Sequence, residues 1–146
     1  MVEVRDAVAA DAGGIREVGV RTWPSTCEFA GLEYVKNGID RWWSLDALAR
    51  RLENTHVVVA VNDDRVVGTG NVDLRPEVPV IWTLYVLPEW QGRGVGSKLL
   101  TAMLAKVPGP EVALEYADGN DGAARFYARH GFRRRAGRPT TTPSGP

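Results

Sequence analysis

Gln91-Gly92-Arg93-Gly94-Val95-Gly96 stands between an apolar run, Val80-Ile81-Trp82-Thr83-Leu84-Tyr85-Val86-Leu87, and a stretch of helical periodicity that begins at Val95. The run reads as a strand of about eight residues that ends at Pro88. Downstream, Val95, Leu99, Leu100, Met103, Leu104 and Val107 repeat at helical spacing, and Pro108-Gly109-Pro110 stops them. Glycines at alternate positions let a backbone come close to a ligand and turn its N–H groups inward. A helix that starts there adds unbonded N–H groups and the positive end of its dipole. Together these features describe a cradle for phosphate, and so for a ligand that carries a pyrophosphate.

Two common glycine motifs do not fit. A P-loop closes with Gly-Lys-Ser/Thr, but here Ser97 precedes Lys98 and no Lys follows the last glycine. A dinucleotide fingerprint spaces its glycines as G-x-G-x-x-G, whereas here the third glycine comes one residue early and position 97 is Ser.

Working outward toward the N-terminus, Val2 and Val4 alternate with Glu3 and Arg5 as a strand, and Asp11 can cap a helix carrying Ile15, Val18 and Thr22 on one face that Pro24 should end. Residues 24 to 43 show no clear period and hold Phe29, Tyr34, Trp42 and Trp43. Ser44 is a good N-cap for a helix with Leu45, Leu48 and Leu52 aligned. His56 to Val61 is a buried strand, Asn62-Asp63-Asp64 a hairpin turn, and Arg65 to Leu74 the returning strand. Toward the C-terminus, Val112, Leu114 and Tyr116 alternate as a fifth strand, placing Glu115 on the other face. A helix over roughly 121–129 ends at Gly131, and Phe132 to Ala136 reads as a sixth strand. The order predicts an α/β fold, with a mixed, mostly antiparallel central sheet and helices on both faces. Residues 1–146 form a single domain, with about 137–146 as a flexible tail.

Composition narrows the function classes. The 146 residues carry 18 Lys+Arg and 18 Asp+Glu, so a net charge of zero gives no reason to propose nucleic acid or an anionic membrane as partner. Arg133-Arg134-Arg135 with Arg138 reads as a solvated strand and tail. A single Cys27 excludes an internal disulfide and a cysteine-based zinc site, and His56 and His130 lack metal-ligand spacing, so no metal is expected. Charges at Glu3, Arg5 and Asp6 interrupt any signal peptide, and the apolar run from Val57 to Val61 is too short to cross a bilayer; a cytoplasmic protein is the expectation.

The glycine loop and a second segment, Asn120, Ala123, Phe126-Tyr127 and Gly131-Phe132, together resemble the GNAT superfamily of N-acetyltransferases. The first looks like the family's Q/R-x-x-G-x-G/A acetyl-CoA loop, and the second like its N-x-x-A-x-x-F-Y-x-x-x-G-F segment. The likeness spans roughly residues 2 to 135 and is strongest from 80 to 132. It implies an acetyl-CoA-dependent N-acetyltransferase with acetyl-CoA as co-substrate and a primary amine, on a small molecule or a peptide, as acceptor.

The resemblance assigns roles residue by residue. Gln91, Gly92, Arg93, Gly94, Val95, Gly96 and Ser97 would hold the pyrophosphate. Backbone groups of Leu84, Tyr85 and Val86 would pair with the pantetheine, with the N–H of Val86 or a neighbour facing the thioester oxygen. Such donors are typically worth ~3–4 kcal/mol each at comparable sites. Tyr127 would protonate the departing thiolate, since a phenol with a pKa of about 10 keeps its proton at neutral pH. Read without the family, Tyr127 is an amphipathic aromatic packed under the last helix. Asn120 would contact the cofactor, though capping the last helix explains an Asn there equally well.

The general base is less legible. Many family members carry Glu where this chain has Val80. Glu115, five residues before Asn120, resembles the base of ribosomal-protein alanine acetyltransferases; a strand Glu bonded to its neighbours is the competing reading, and Asp73 and Glu77 are poorer candidates. Glu89, beside the loop, reads as a solvated turn residue. The family fold also adds a seventh strand between the fifth and sixth, but three prolines in the last eight residues here argue against a full one. The open edge left behind predicts a homodimer with Phe132 to Ala136 at the interface, unless the sixth strand moves in and the protein stays monomeric. The aromatics between Trp23 and Trp43 read first as core or interface and second as an acceptor pocket. A non-catalytic acyl-CoA-binding or sensor domain of the same fold is the rival function, and an ordinary nucleotide-binding α/β protein the second rival.

Overall fold

The computed structural model describes residues 2–27, 36, 41–109, 111–114 and 121–130. Within them the chain forms β1 (Glu3–Asp6), α1 (Ala12–Cys27), α2 (Leu45–Asn54), β2 (His56–Asn62), β3 (Arg65–Asp73), β4 (Val80–Val86), α3 (Val95–Leu104), β5 (Ala113–Leu114) and α4 (Asp121–Arg129). The five strands form one sheet in the order β1-β2-β3-β4-β5. β1 to β4 pair antiparallel, and β4 pairs with β5 in parallel, Val80 opposite Ala113 and Ile81 opposite Leu114. The parallel step is the one bridged by α3, as a crossover requires.

Local chemistry explains the element ends. Ser44 accepts from Ala47 N at 3.2 Å and starts α2. Asp63 and Asp64 both take positive φ, 47° and 64°, which makes the two-residue hairpin between β2 and β3 a turn of the primed kind that matches strand twist. Two expectations change. The helix from residue 12 does not stop at Pro24 but continues to Cys27, because a proline in the final turn forfeits only a single intrahelical bond. The carboxylate of Asp11 reaches backward rather than forward. It accepts from Val8 N at 2.8 Å and takes a bidentate pair from Arg5 at 2.8 and 3.0 Å, and these bonds hold it below the ordinary carboxylate range.

The core lies between the sheet and its helices, with Val58, Val59, Val67, Ile81, Leu99, Leu100 and Met103 almost fully buried. Gly68 and Gly70 in β3 let α3 settle against the strand: a Cβ there would stand 3.0 Å from Leu99 Cδ1 or 2.8 Å from Met103 Cε. α1 and α2 cover the other face, where Trp43 is fully buried against Gly19 and edge-on to Tyr85, with ring centroids 5.5 Å apart. Of the aromatics between residues 23 and 43, Trp43 is therefore core; Phe29 and Tyr34 lie outside the described residues. So do Glu115, Asn120, the sixth strand expected over 132–136 and the tail.

Candidate active site

A bulge in β4 sets the site. Asn71 pairs with Thr83 and the next residue, Val72, pairs with Ile81, so Trp82 is an extra residue on β4. Beyond the bulge the strand delivers Leu84, Tyr85 and Val86 to its C-terminal end, past the two residues that pair with β5. There a cavity of about 570 Å³ opens. Its walls are Leu84, Tyr85 and Val86 of β4; Trp90, Gln91, Gly92, Gly94, Gly96 and Ser97 of the loop and helix start; Phe126, Tyr127 and Arg129 of α4; and Thr22 of α1.

The three loop glycines are there for different reasons. Gly92 and Gly94 have φ of 78° and 81°, a left-handed backbone that favours glycine, and among the described residues no atom beyond their chain neighbours lies within 4 Å of where their Cβ would be. Gly96 is helical, and its missing side chain makes room for the Phe126 ring, 3.3 Å from an ideal Cβ. Gly94 is the N-cap of α3, whose ladder begins with Lys98 N donating to Gly94 O at 3.2 Å. The N–H groups of Val95, Gly96 and Ser97 therefore precede the ladder, as at any helix start. That geometry fits a phosphate: open space beside two glycines, helix N–H groups ahead of their ladder, and the positive end of a dipole.

The remaining loop residues divide between the cavity and its support. Gln91 spends its side-chain amide on the carbonyl of Val86, 3.0 Å away, tying the loop to the strand end. Arg93 does not line the cavity; its guanidinium lies over the Trp90 ring, 4.9 Å from the centroid. Val95 is buried in the core and does not line it either. Glu89 is not merely solvated. Arg21 of α1 grips it through two bonds of 2.9 Å, lowering its pKa, and so fastens α1 to the loop.

Tyr127 is buried to 7 % exposure in the cavity wall, with the Phe126 ring edge-on at 5.3 Å. Tyr85, also in the wall, touches Trp43, and Trp43 carries the Arg51 guanidinium 4.7 Å from its ring. Arg51 is itself buried, gives one hydrogen bond to Trp42 O at 2.7 Å, and is pushed down to about 10 by burial. Asp73, weighed as a base, is committed elsewhere. It accepts from Arg75 N, Nε and Nη2 at 3.0, 2.9 and 2.8 Å and from Trp82 Nε1 at 3.3 Å, and these bonds, Arg75 foremost, lower its pKa. Glu77 sits exposed in the loop between β3 and β4. Among the described residues no carboxylate lines the cavity. Nor do three or more His, Cys, Asp or Glu gather as a metal site, and no described helix is long and apolar enough to cross a membrane.

Sequence reading missed Thr22, Trp90, Arg129 and the Arg21–Glu89 pair. Its spacing puts Thr22 on the buried face of α1 with Ile15 and Val18, where its hydroxyl bonds Val18 O at 2.7 Å, but spacing alone does not show that this part of the face meets the cavity. Arg21 and Glu89 are 68 positions apart, beyond any local pattern.

Comparison with known proteins agrees with this geometry. Residues 53–134 match the acetyltransferase (GNAT) domain family. The chain is 33% identical over 98 residues to the N-alpha-acetyltransferase RimI of Mycobacterium tuberculosis, an alignment covering 63% of this chain and 62% of that protein. It thus spans about three-fifths of that relative. An uncharacterized N-acetyltransferase of Mycobacterium bovis is 29% identical over 130 residues, 84% of this chain and 83% of the relative. In structure, the PaiA N-acetyltransferase of Thermoplasma acidophilum, solved in complex with coenzyme A, superposes with a TM-score of 0.82 over 92% of this chain and 91% of its own, at 20% identity. A GCN5-related N-acetyltransferase of Rhodopseudomonas palustris gives a TM-score of 0.76 at 24% identity, over 91% and 82% of the two chains. At these identities the likeness shows a shared fold.

Proposed function

The chain belongs to the acetyltransferase (GNAT) domain family, and from that premise we propose that it is an acetyl-CoA-dependent N-acetyltransferase acting on a primary amine of a small molecule or peptide. The observation that carries this reading is the convergence on one cavity of the glycine loop, the freed end of β4 and Tyr127. Acetyl-CoA supplies the activated acyl group as a thioester. The protein's part is to hold the pyrophosphate at Gly92, Gly94 and the start of α3, and to lay the pantetheine along Leu84, Tyr85 and Val86. Backbone N–H near Val86 stabilises charge on the thioester oxygen, and such preorganised donors are among the larger catalytic effects. Tyr127, placed in the wall, gives its proton to the sulfur as the thiolate leaves. Glu115, or a water it holds, takes the proton of the amine. The acceptor enters from the side of α1 and α2, where Thr22 and Tyr85 line the wall.

The decisive experiment is thiol release from acetyl-CoA against a panel of amines that includes small polyamines, amino acids and peptide N-termini, beside a binding titration with CoA. Turnover with any amine supports the reading, and CoA binding without turnover across the panel overturns it. That second result would favour a non-catalytic acyl-CoA-binding domain, which Val80 and the absence of a carboxylate among the described lining residues also favour.

A further inference from the structure

The start of α3 and the end of α4 are joined by a side-chain pair that the reading above does not use. His130 Nδ1 lies 2.9 Å from the carbonyl oxygen of Phe126, and His130 Nε2 lies 2.9 Å from Ser97 Oγ. A carbonyl oxygen only accepts, so Nδ1 carries a proton. In a neutral ring Nε2 is then bare and must accept from the Ser97 hydroxyl. Ser97 lines the cavity, beside the N–H groups that begin α3. With its hydrogen turned to His130, the hydroxyl shows the cavity only lone pairs, and an arriving phosphate oxygen meets an acceptor where it needs a donor.

A second proton on His130 reverses this arrangement. Both ring nitrogens then donate, Nδ1 to Phe126 O and Nε2 to Ser97 Oγ. The Ser97 hydrogen is released toward the phosphate, and a charge-assisted chain runs from the ring to the anion. The ring is set against α3, where Lys98 follows Ser97 in sequence, and the charged residues closest to it in sequence on α4, the helix it follows, are Arg125 and Arg129. A pyrophosphate brings negative charge to this end of α3, which favours the arrangement in which both ring nitrogens donate.

We propose that His130 is a positioning residue for the pyrophosphate: acting through the hydroxyl of Ser97, it takes up a proton when CoA binds. The proposal rests on the acetyl-CoA reading above and adds a residue and a proton to it. An imidazole suits the task because its two ring nitrogens can face two partners at once, here Phe126 O and Ser97 Oγ.

The test is calorimetric titration of the full chain with CoA near neutral pH, in two buffers of different ionisation enthalpy, for wild type, His130→Gln and Ser97→Ala. Circular dichroism shows that each variant is folded. Wild type should take up part of a proton per CoA bound, and both variants should take up less. Any proton taken by the phosphate monoester of CoA itself appears equally in all three proteins. The wild-type affinity should rise as pH falls from about 8 to about 6 more steeply than that of His130→Gln, within the limit of about tenfold per pH unit for a single linked proton. S-acetyl-pantetheine, which lacks the pyrophosphate, should show no difference between wild type and variants. Equal uptake in wild type and His130→Gln overturns the proposal while leaving acetyl-CoA binding intact. A wild-type protein that does not bind CoA at all overturns the acetyl-CoA reading with it.

Discussion

An ideal Cβ on Gly96 would stand 3.3 Å from the ring of Phe126, so the first turn of α3 and the helix that carries Tyr127 touch where only glycine fits comfortably. The Phe126 ring is half-buried and lines the cavity, so it can yield toward the open side. Gly96→Ala should therefore leave stability near the wild-type value, since a helical alanine gains about 1 kcal/mol over glycine and offsets the strain. The displaced ring narrows the cavity and shifts the neighbouring Tyr127. The expected result is a KM for acetyl-CoA raised by roughly threefold to tenfold, the equivalent of about 1 kcal/mol. Steady-state kinetics beside a melting curve check it, and an unchanged KM would show that Phe126 is not a wall of the coenzyme site.

Tyr127→Phe keeps the buried ring and removes the hydroxyl. If that hydroxyl serves the leaving thiolate, it acts in the transition state rather than on the bound thioester. Turnover should fall by about tenfold or more with little change in CoA affinity. Equal loss of affinity and rate, or no loss of either, would make Tyr127 a packing residue.

Much of the fold was legible because its signals are local. The glycine loop, the cap at Ser44 and the Asp63-Asp64 turn each announce themselves within a few residues, and the helix from Val95 follows from its period alone. Helix α1 ran past Pro24 because one lost bond in a final turn is a small penalty against the packing of the rest. The bulge at Trp82 had no sequence signal, since Val80 to Leu87 reads as an uninterrupted apolar run. Gln91 was read as part of the coenzyme loop; it lines the cavity, and its amide also donates to the Val86 carbonyl, a bond that only the folded loop reveals. Thr22 and Arg129 reach the cavity through tertiary packing, which no spacing rule encodes.

Glu115→Gln tests the proposed base, motivated by its spacing from Asn120. The change keeps the shape and removes the proton acceptor. The rate should fall most at lower pH, where more of the amine is protonated, and recover in part as pH rises. A variant with the wild-type pH profile points instead to another base or to an amine that arrives neutral.

Acid should loosen the corner between β3 and β4 through Asp73. Its side chain is almost fully buried and accepts three bonds from Arg75 and a fourth from the Trp82 indole. These bonds hold its pKa below the ordinary value, so the unfolded chain binds that proton more readily than the folded one. The stabilisation is complete above an ordinary carboxylate pKa of about 3.9 and is lost as pH falls through the folded value. Asp73→Asn should be less stable than wild type at neutral pH, and the gap should close as pH drops below about 4. Urea unfolding of both proteins across that range measures it, and a gap independent of pH would show that the carboxylate charge contributes nothing.

Two glycines of α1 should respond in opposite directions to the same substitution. Gly13 is exposed, and among the described residues nothing beyond its own helical turn lies within 4 Å of its missing Cβ. Gly13→Ala should stabilise by about 0.5–1 kcal/mol, because alanine has less backbone freedom to lose on folding. At Gly19 the same atom would fall 2.1 Å from the six-membered ring of Trp43. That ring is fully buried, pressed by Arg51 on one side and Tyr85 at its edge, so it cannot retreat without moving both. Overpacking of this kind costs roughly 1–3 kcal/mol or more, which exceeds the helical gain of about 1 kcal/mol. Gly19→Ala should lower Tm by several degrees, at about 3 °C per kcal/mol for a domain of this size. Because Tyr85 is also a wall of the cavity, it should weaken CoA binding as well. Melting curves and CoA titrations of the two variants side by side decide the matter: a Gly19→Ala protein as stable as Gly13→Ala would mean that Trp43 does not pack against α1 as described.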